Sequence, residues 1–159
     1  MAAGLLFFLP EKPWTDRPFY LGEFALKRDF GIARCGLACC LCSENSTCGG
    51  CDSSSCRDNG WCENLKCSKE RRLSHCYECE EISCTKGMLA KVRPLAFTQF
   101  ARRYGEKELL DCLERNERTG IVYHRDGLCG DYDAFSDIEE IIEFIKTGKN
   151  ARDFDDERT

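Results

Sequence analysis

The sequence predicts a small metal-stabilised α+β protein, in which an irregular, loop-rich cysteine-metal module precedes a small α-rich lobe with a short strand or hairpin. The chain has 159 residues, enough for one domain with a small satellite. Twelve of its 14 cysteines lie between Cys35 and Cys84. Beyond Cys84, apolar residues recur at the three- and four-residue intervals of amphipathic helices. We therefore divide the chain into an N-terminal extension (1–31), a cysteine-rich module (32–84), a helical lobe (85–149) and a frayed tail (150–159).

The sequence of the N-terminal extension predicts a loop followed by a possible edge strand. Prolines at three positions of residues 10–18 favour extended backbone, and residues 19–27 interleave apolar with polar side chains. The opening MAAGLLFFLP has no basic residue before a five-residue apolar stretch, whereas a secretory signal has a basic start and about 7–15 apolar residues. We therefore expect a cytoplasmic protein whose cysteines stay reduced and act as metal ligands.

Composition excludes several classes of function. Acidic residues outnumber basic ones 28 to 23, so the formal net charge is −5, and 42% of the residues are apolar. No apolar run approaches the roughly 20 residues that span a bilayer, so a membrane protein is not expected. Because a nucleic-acid-binding domain is usually basic, nucleic acid is disfavoured as a partner.

The cysteine spacings predict metal binding. The pairs Cys39–Cys42, Cys48–Cys51 and Cys76–Cys79 are separated by two residues, and Cys62–Cys67 by four. A C-x2-C turn directs two thiolates at one ion, and two such turns complete a tetrahedral site. The 50 residues from Cys35 to Cys84 have only seven large apolar side chains, while a structural zinc is worth about 10–16 kcal/mol. Metal is therefore expected to replace a hydrophobic core.

Eleven cysteines are the predicted ligands of two to three zinc ions. They are Cys35, Cys39, Cys42, Cys48, Cys51, Cys56, Cys62, Cys67, Cys76, Cys79 and Cys84. The simplest grouping gives one ion Cys39, Cys42, Cys48 and Cys51, and a second ion Cys62, Cys67, Cys76 and Cys79. A third ion would then take Cys35, Cys40, Cys56 and Cys84, among which Cys40 is the weakest candidate, and His75 could replace a cysteine. Spacing does not fix the pairing.

Iron remains an alternative to zinc. Four thiolates also hold iron or an iron–sulfur cluster, which would indicate redox or electron-transfer chemistry. The spacing of Cys35, Cys39 and Cys42 matches that of radical enzymes that use S-adenosylmethionine. Those enzymes need a large partial α/β barrel, and the residues that follow show no alternation of strands and helices.

These motifs resemble those of a known family. CGLAC-x2-C, then C-x2-C with an internal glycine, C-x4-C followed by SKE, and HC-x2-C-x4-C are similar to a cysteine-rich family of small bacterial and archaeal proteins. The resemblance extends over residues 32–149 and includes GIVYH and GDYD near the end. That family is a domain of unknown function taken to bind zinc, so the resemblance implies a zinc-stabilised fold and assigns no activity.

The sequence of the helical lobe predicts three helices and a short strand. Leu95, Phe97, Phe100 and Tyr104 indicate an amphipathic helix that ends at Gly105. Residues 106–118 form the next helix, which would bury three leucines and end at Gly120. Residues 121–123 read as a strand before an Asp126–Gly127 turn. The last helix carries an isoleucine stripe from Ile138 to Ile145, a capping box of Ser136 and Glu139, and a closing Gly148.

The lobe also contains basic residues and a candidate ligand site. Six basic side chains lie between residues 85 and 107; they could form a solvated helix face, or thiolate-bound zinc, which carries negative charge, could attract them. His124, Asp131, Tyr132 and Asp133 could bind a small ligand or perform acid–base chemistry, or they could simply order the turn and the helix start.

The function favoured by the sequence is that of a cytosolic protein with structural zinc sites and a partner-binding or regulatory role. Closed four-cysteine sites leave no open coordination position, so no catalytic residue is assigned. An enzyme that uses the His124–Asp133 region is a further alternative to the iron protein.

Overall fold

The computed structural model describes residues 26–43, 46–125 and 128–149. These residues form four α-helices and a two-stranded hairpin, with short 3-10 turns between them. The helices are α1 (Glu63–Glu70), α2 (Val92–Tyr104), α3 (Glu106–Arg118) and α4 (Ile138–Thr147), and the strands are β1 (His124–Arg125) and β2 (Leu128–Cys129). In the described ranges the protein is therefore mostly helical, and the predicted α+β class overstated the strand content.

Helices α2 and α3 form where the apolar spacing predicted them. Gly105, with φ of 90°, separates the two helices, and its backbone N–H closes α2 on the carbonyl of Ala101. An L-residue with a Cβ rarely adopts such a φ, so glycine at this position permits the sharp change of direction. Pro94 lies in the first turn of α2, where a missing N–H costs no intrahelical hydrogen bond.

Helix α4 begins one residue later than the predicted capping box requires. The N-cap is Asp137, whose Oδ1 accepts hydrogen bonds from the backbone N–H groups of Glu139 and Glu140 at 2.8 and 3.2 Å. A carboxylate satisfies two free N–H groups here and also complements the helix dipole, which explains why it replaces Ser136. The predicted end at Gly148 is confirmed, in the left-handed conformation.

The hydrophobic core lies between α2, α3 and α4, which pack against one another. Phe97 and Phe100 of α2 are fully buried, as are the leucines and isoleucines that face them. Buried Asn116 donates through Nδ2 to the Tyr132 hydroxyl at 3.1 Å and to the Ile145 carbonyl at 3.1 Å. This amide therefore joins α3 to α4 and to the 3-10 turn Asp131–Ala134 without leaving a buried polar group unpaired.

The hairpin differs in position from the predicted strand. Residues 121–123 are not in a strand, and the antiparallel pairs are His124 with Cys129 and Arg125 with Leu128. The Asp126–Gly127 turn predicted between them lies outside the described residues. Tyr123, just before β1, instead turns its ring into the core, where it packs against Phe97 at 5.9 Å between ring centroids.

The first cysteine-bearing segment is anchored in the lobe. Ile32, Ala38 and Cys40 belong to the helical core, and the Ala38 N–H donates to the Tyr123 hydroxyl at 3.0 Å. Gly36, with φ of 85°, lies so close to α2 that a Cβ would clash with the Thr98 side chain. The glycine of the CGLAC motif therefore permits the close approach of this loop to α2.

The rest of the cysteine module has almost no apolar interior. Among the described residues from 42 to 84, the buried ones are Asn64, Leu65 and Ser68, all on α1. Asn64 joins α1 to the next segment, because its Nδ2 donates to the Lys86 carbonyl and its Oδ1 accepts from the Met88 N–H. A single buried leucine cannot act as a core for about 40 residues.

The two ends of the chain fall largely outside the description. The possible edge strand at 19–27 lies outside the described residues up to position 25, and so does the predicted tail of 150–159. Leu26 and Phe30, the latter in a 3-10 turn Arg28–Phe30, pack against the core of the lobe. In the described ranges, no helix combines the length and apolarity needed to cross a membrane.

Candidate functional site

Eleven cysteines line two cavities on the cysteine module. The larger cavity, here called the seven-thiol cavity, has a volume of about 490 Å³ and is lined by Cys35, Cys39, Cys42, Cys48, Cys51, Cys56 and Cys62. The smaller one, here called the four-thiol cavity, has about 20 Å³ and is lined by Cys67, Cys76, Cys79 and Cys84. These are the same eleven residues that the sequence predicted as ligands.

The structure distributes the cysteines differently from the simplest grouping by spacing. Cys62 and Cys67 were expected to share one ion, but they line different cavities. Cys62 is the N-cap of α1, and its Sγ accepts from the Leu65 N–H at 3.4 Å, whereas Cys67 lies inside that helix. Residues five apart on a helix are not on the same face, so α1 separates the two thiols. Cys84 takes the place that had been given to Cys62.

The thiols line the cavities without converging on a point. In the described parts of the chain, no three side chains of Cys, His, Asp or Glu lie close enough together to hold a metal ion. Burial raises the pKa of Cys39 to about 12, and its neighbours Cys51 and Cys42 add to the rise. Burial likewise raises the pKa of Cys76 to about 11, with further contributions from Cys84 and Cys67. Without a cation, these thiols are therefore protonated at neutral pH.

Basic side chains surround the four-thiol cavity. Arg71 Nη1 donates to Cys79 Sγ at 3.0 Å, and Lys86 Nζ lies 3.9 Å from Cys67 Sγ. Arg102, on α2, donates to the backbone carbonyls of Cys76, Tyr77 and Cys79 at 2.9–3.1 Å. Arg102 therefore holds the C-x2-C turn in shape and attaches it to the lobe. Of the six basic residues between 85 and 107, Lys86 lines this cavity, and Arg102 contacts the backbone of its cysteines and not their thiols.

Arg34 organises the backbone beside the seven-thiol cavity. Its Nη2 makes a two-point contact with the Asp52 carboxylate at 2.9 and 3.0 Å, and its Nη1 donates to the Leu73 carbonyl at 2.6 Å. The Arg34 carbonyl accepts from the Cys76 N–H at 2.7 Å. One residue therefore connects the loop that follows Cys51 to the segment that enters the four-thiol cavity.

Cys40, His75 and Cys112 do not line either thiol cavity. Cys40 is 1% exposed within the helical core and lines neither thiol cavity. The His75 ring stacks on Tyr77 at 4.9 Å, and its Nε2 lies 3.2 Å from the Ile32 carbonyl. Cys112 is buried on α3, as a small apolar residue of the core.

Three of the four predicted ligand-binding residues perform structural tasks. Asp131 accepts from the Val122 N–H at 2.7 Å, and Asp133 accepts from the Gly130 N–H at 2.9 Å. Tyr132 is 1% exposed, and its hydroxyl accepts from Asn116. His124 is exposed and has no hydrogen-bond partner in the described ranges, but it lies at the rim of the seven-thiol cavity and of a further groove.

Sequence reasoning missed the side chains that support these sites. Arg34, Arg71 and Asn64 all act through contacts with residues distant in sequence, which no local pattern reveals. The basic stretch of residues 85–107 gave a signal for Lys86 and Arg102, although it did not separate them from Arg103, which pairs with Glu139 on α4.

Comparisons with protein-family models, with curated proteins and with solved structures found no match.

Proposed function

We propose that this is a metal-binding protein in which zinc, held by the eleven thiols of the two cavities, stabilises the cysteine module as a surface for a protein partner. The observation that carries the proposal is the combination of eleven thiols around two cavities with a single buried leucine between residues 42 and 84. Thiols are the preferred ligands of structural zinc, and such sites replace a hydrophobic core in small modules.

The four-thiol cavity fits one ion. Its 20 Å³ is room for about one water-sized sphere, and four thiols complete a tetrahedral site. Bound zinc would leave this site with two negative charges, which Arg71 and Lys86 are placed to offset. Binding requires the thiol side chains to turn toward a common centre, a change within the range of staggered rotamers.

The seven-thiol cavity has more ligands than one zinc uses. Two tetrahedral ions that share one bridging thiolate need seven ligands, so about three zinc ions per chain are expected in total. Closed sites of this kind leave no position for substrate, and the role of the metal would be structural. Trp61 and Ile82 are the most exposed large apolar side chains of the described residues, and both lie on this module, which favours a protein partner.

Metal analysis of protein purified without oxygen tests the proposal. We expect two to three zinc ions per chain, no visible colour, and one ion fewer in Cys76→Ser. Cys112→Ala is the matched control, because that cysteine lines neither thiol cavity, and its metal content should equal that of the wild type. A chain that binds no metal and keeps a cooperative melt in chelator would contradict the proposal.

Iron is the second candidate, and the size of the seven-thiol cavity favours it. A cavity of about 490 Å³ with seven thiols can also hold an iron–sulfur cluster on four of them, in a reducing cytoplasmic setting. Iron with charge-transfer absorption in the visible spectrum would make electron transfer the leading function.

A further inference from the structure

A third cavity of about 480 Å³ lies between the first turn of α2 and the hairpin, and we call it the hairpin groove. Its polar lining includes Lys91, Arg93, His124 and Cys129, and its apolar lining includes Met88 and Phe135. None of the eleven predicted ligand cysteines lines it. The hairpin groove adjoins the seven-thiol cavity, with which it shares three lining residues, but the one cysteine in its lining is Cys129.

Cys129 and His124 face each other across the hairpin. They are directly opposed in the antiparallel register, so their side chains lie on one face with Cβ atoms about 4.5–5.5 Å apart. Both side chains are exposed and both line the hairpin groove. Cys129 is the one exposed cysteine of the fourteen, all of which lie within the described residues. The two side chains form no hydrogen bond with each other in the described structure, but a change of side-chain rotamer can bring the imidazole to the thiol, where it can act as the general base.

The hairpin groove is positively charged. The exposed side chain of Lys91 has no hydrogen-bond or ion-pair partner among the described residues, and Lys91 lines the groove. Arg93 stacks over the Tyr123 ring at 4.5 Å and pairs with Asp133 at 2.7 Å, and its buried Nε has no partner in the described ranges. Two guanidinium or ammonium groups therefore face one carboxylate, which favours a ligand that carries negative charge.

We propose that Cys129 is a thiolation site for small disulfides that carry a carboxylate. His124 takes the proton of the Cys129 thiol, and the sulfur attacks one sulfur of the disulfide. The S–S bond breaks as the new mixed disulfide forms, and the leaving thiolate receives the proton from His124. The small disulfide is the two-electron oxidant, and one molecule of free thiol is released for each mixed disulfide formed.

Lys91 selects the charge of the reagent. Its ammonium attracts a carboxylate-bearing disulfide to the groove, and the apolar wall accepts the remainder of that molecule. Met88, Arg93 and His124 also line the seven-thiol cavity, so the site of modification must be mapped directly.

The test compares two aromatic disulfides, 5,5′-dithiobis(2-nitrobenzoate), which carries carboxylates, and neutral 4,4′-dithiodipyridine. Each stopped-flow rate is divided by the rate of the same reagent with a small free thiol, and the modified cysteine is identified by peptide mass spectrometry. We expect Cys129 to react first, with a normalised preference for the carboxylate-bearing reagent. Cys129→Ser should lose this first phase while its metal content stays that of the wild type.

Two variants test the roles of the neighbours. Lys91→Met should lower the preference for the carboxylate-bearing reagent about two- to fivefold, the effect of one partly exposed charge. Lys107→Met is the matched control, because Lys107 lies on α3 and does not line the groove. His124→Gln should slow both reagents at pH 7 about tenfold or more.

Three results would overturn the proposal: first modification at another cysteine, equal normalised rates for the two reagents, or rates in His124→Gln equal to those of the wild type. Each reaction is run with zinc present and after chelation, and Cys129→Ser identifies the Cys129 phase under both conditions, so failure here is distinguished from failure of the proposed metal sites.

Discussion

The helical lobe and the cysteine module differ in how much apolar surface is available to stabilise them. The lobe buries Phe97, Phe100 and the apolar faces of α3 and α4, so the hydrophobic effect stabilises it. The module from residue 42 to residue 84 buries one leucine among its described residues and carries nine of the eleven cavity thiols. The difference teaches that an ordered backbone with so little buried apolar surface needs another source of stability, and thiol ligands are the one this sequence offers.

Removal of metal should produce the largest difference in stability between the two regions. With excess chelator, we expect amides of α1 to lose their protection from hydrogen exchange, while amides of α3 and α4 keep theirs. The reason is that each structural zinc contributes about 10–16 kcal/mol, and only the module depends on it. Exchange measured by mass spectrometry, peptide by peptide, gives the result. Equal protection of α1 with and without chelator would show that the module is stable by itself.

A substitution in the lobe core should have the next largest effect. Phe97 is fully buried and packs against Tyr132, with ring centroids 5.3 Å apart and the rings nearly perpendicular. Phe97→Ala should lower the free energy of unfolding of the metal-loaded protein by about 3–5 kcal/mol, because it leaves a cavity. Denaturant unfolding followed by circular dichroism measures it. The control Tyr104→Ala, at a half-exposed ring, should cost far less, and similar costs for both would contradict the assignment of the core.

The lobe was more predictable than the module for a physical reason. Helices α2, α3 and α4 depend on local periodicity and on Gly105 and Gly148, all of which are visible in one sequence. The cap of α4 was placed one residue early, because Ser136 and Asp137 are both good caps and residue type alone does not choose between them. The hairpin was shifted because burial of the Tyr123 ring overrides its strand propensity.

The candidate site was also predictable only in part from the sequence. Residue type and spacing were enough to identify the eleven cysteines that line the cavities, but the partition depended on α1, which was not predicted. Its eight residues carry only Leu65 as a large apolar side chain, so no hydrophobic periodicity reveals the helix. The pairing of His124 with Cys129 required the register of the hairpin, which sequence alone left open.

Loss of a buried hydrogen bond inside the lobe should have the third largest effect on stability. Asn116→Ala leaves the Tyr132 hydroxyl without its donor and removes one of two donors to the Ile145 carbonyl, which keeps its hydrogen bond from Arg115, at a cost of about 1–3 kcal/mol in the free energy of unfolding. Tyr132→Phe removes the hydroxyl alone. Because the two residues share one hydrogen bond, the double variant should cost less than the sum of the single ones in denaturant unfolding. Simple additivity would mean that this bond does not couple them.

The junction between the two regions should show a smaller effect. Arg102→Met removes the donor to the carbonyls of Cys76 and Cys79, so we expect zinc affinity at the four-thiol cavity to fall about 10- to 100-fold. Arg103→Met is a matched control on the same helix, since Arg103 pairs only with exposed Glu139. Competition with a chromophoric chelator measures both affinities. If the two variants lose affinity equally, Arg102 does not support the C-x2-C turn.

Acid should destabilise the cysteine module at a higher pH than the lobe, whose stability should change only slightly. Metal-free Cys39 has its pKa raised to about 12 by burial, so protons compete strongly with metal as the pH falls. Arg28 lowers the pKa of the Glu114 carboxyl below its ordinary 4.5. That lowering contributes stability above pH 4.5, and the contribution is lost as the pH falls through the depressed value. Since Glu114 is exposed, the loss should be slight.

We therefore expect metal release and loss of α1 signals at a pH above 4.5, while α3 and α4 persist to below pH 4. Two-dimensional NMR with a zinc indicator in the same sample follows both events. Simultaneous loss of all helices would mean that the lobe depends on the metal as much as the module does. Release of metal only below pH 4 would mean that the bound ion outcompetes protons more strongly than thiols of such high pKa allow, and the ligand assignment would then be wrong.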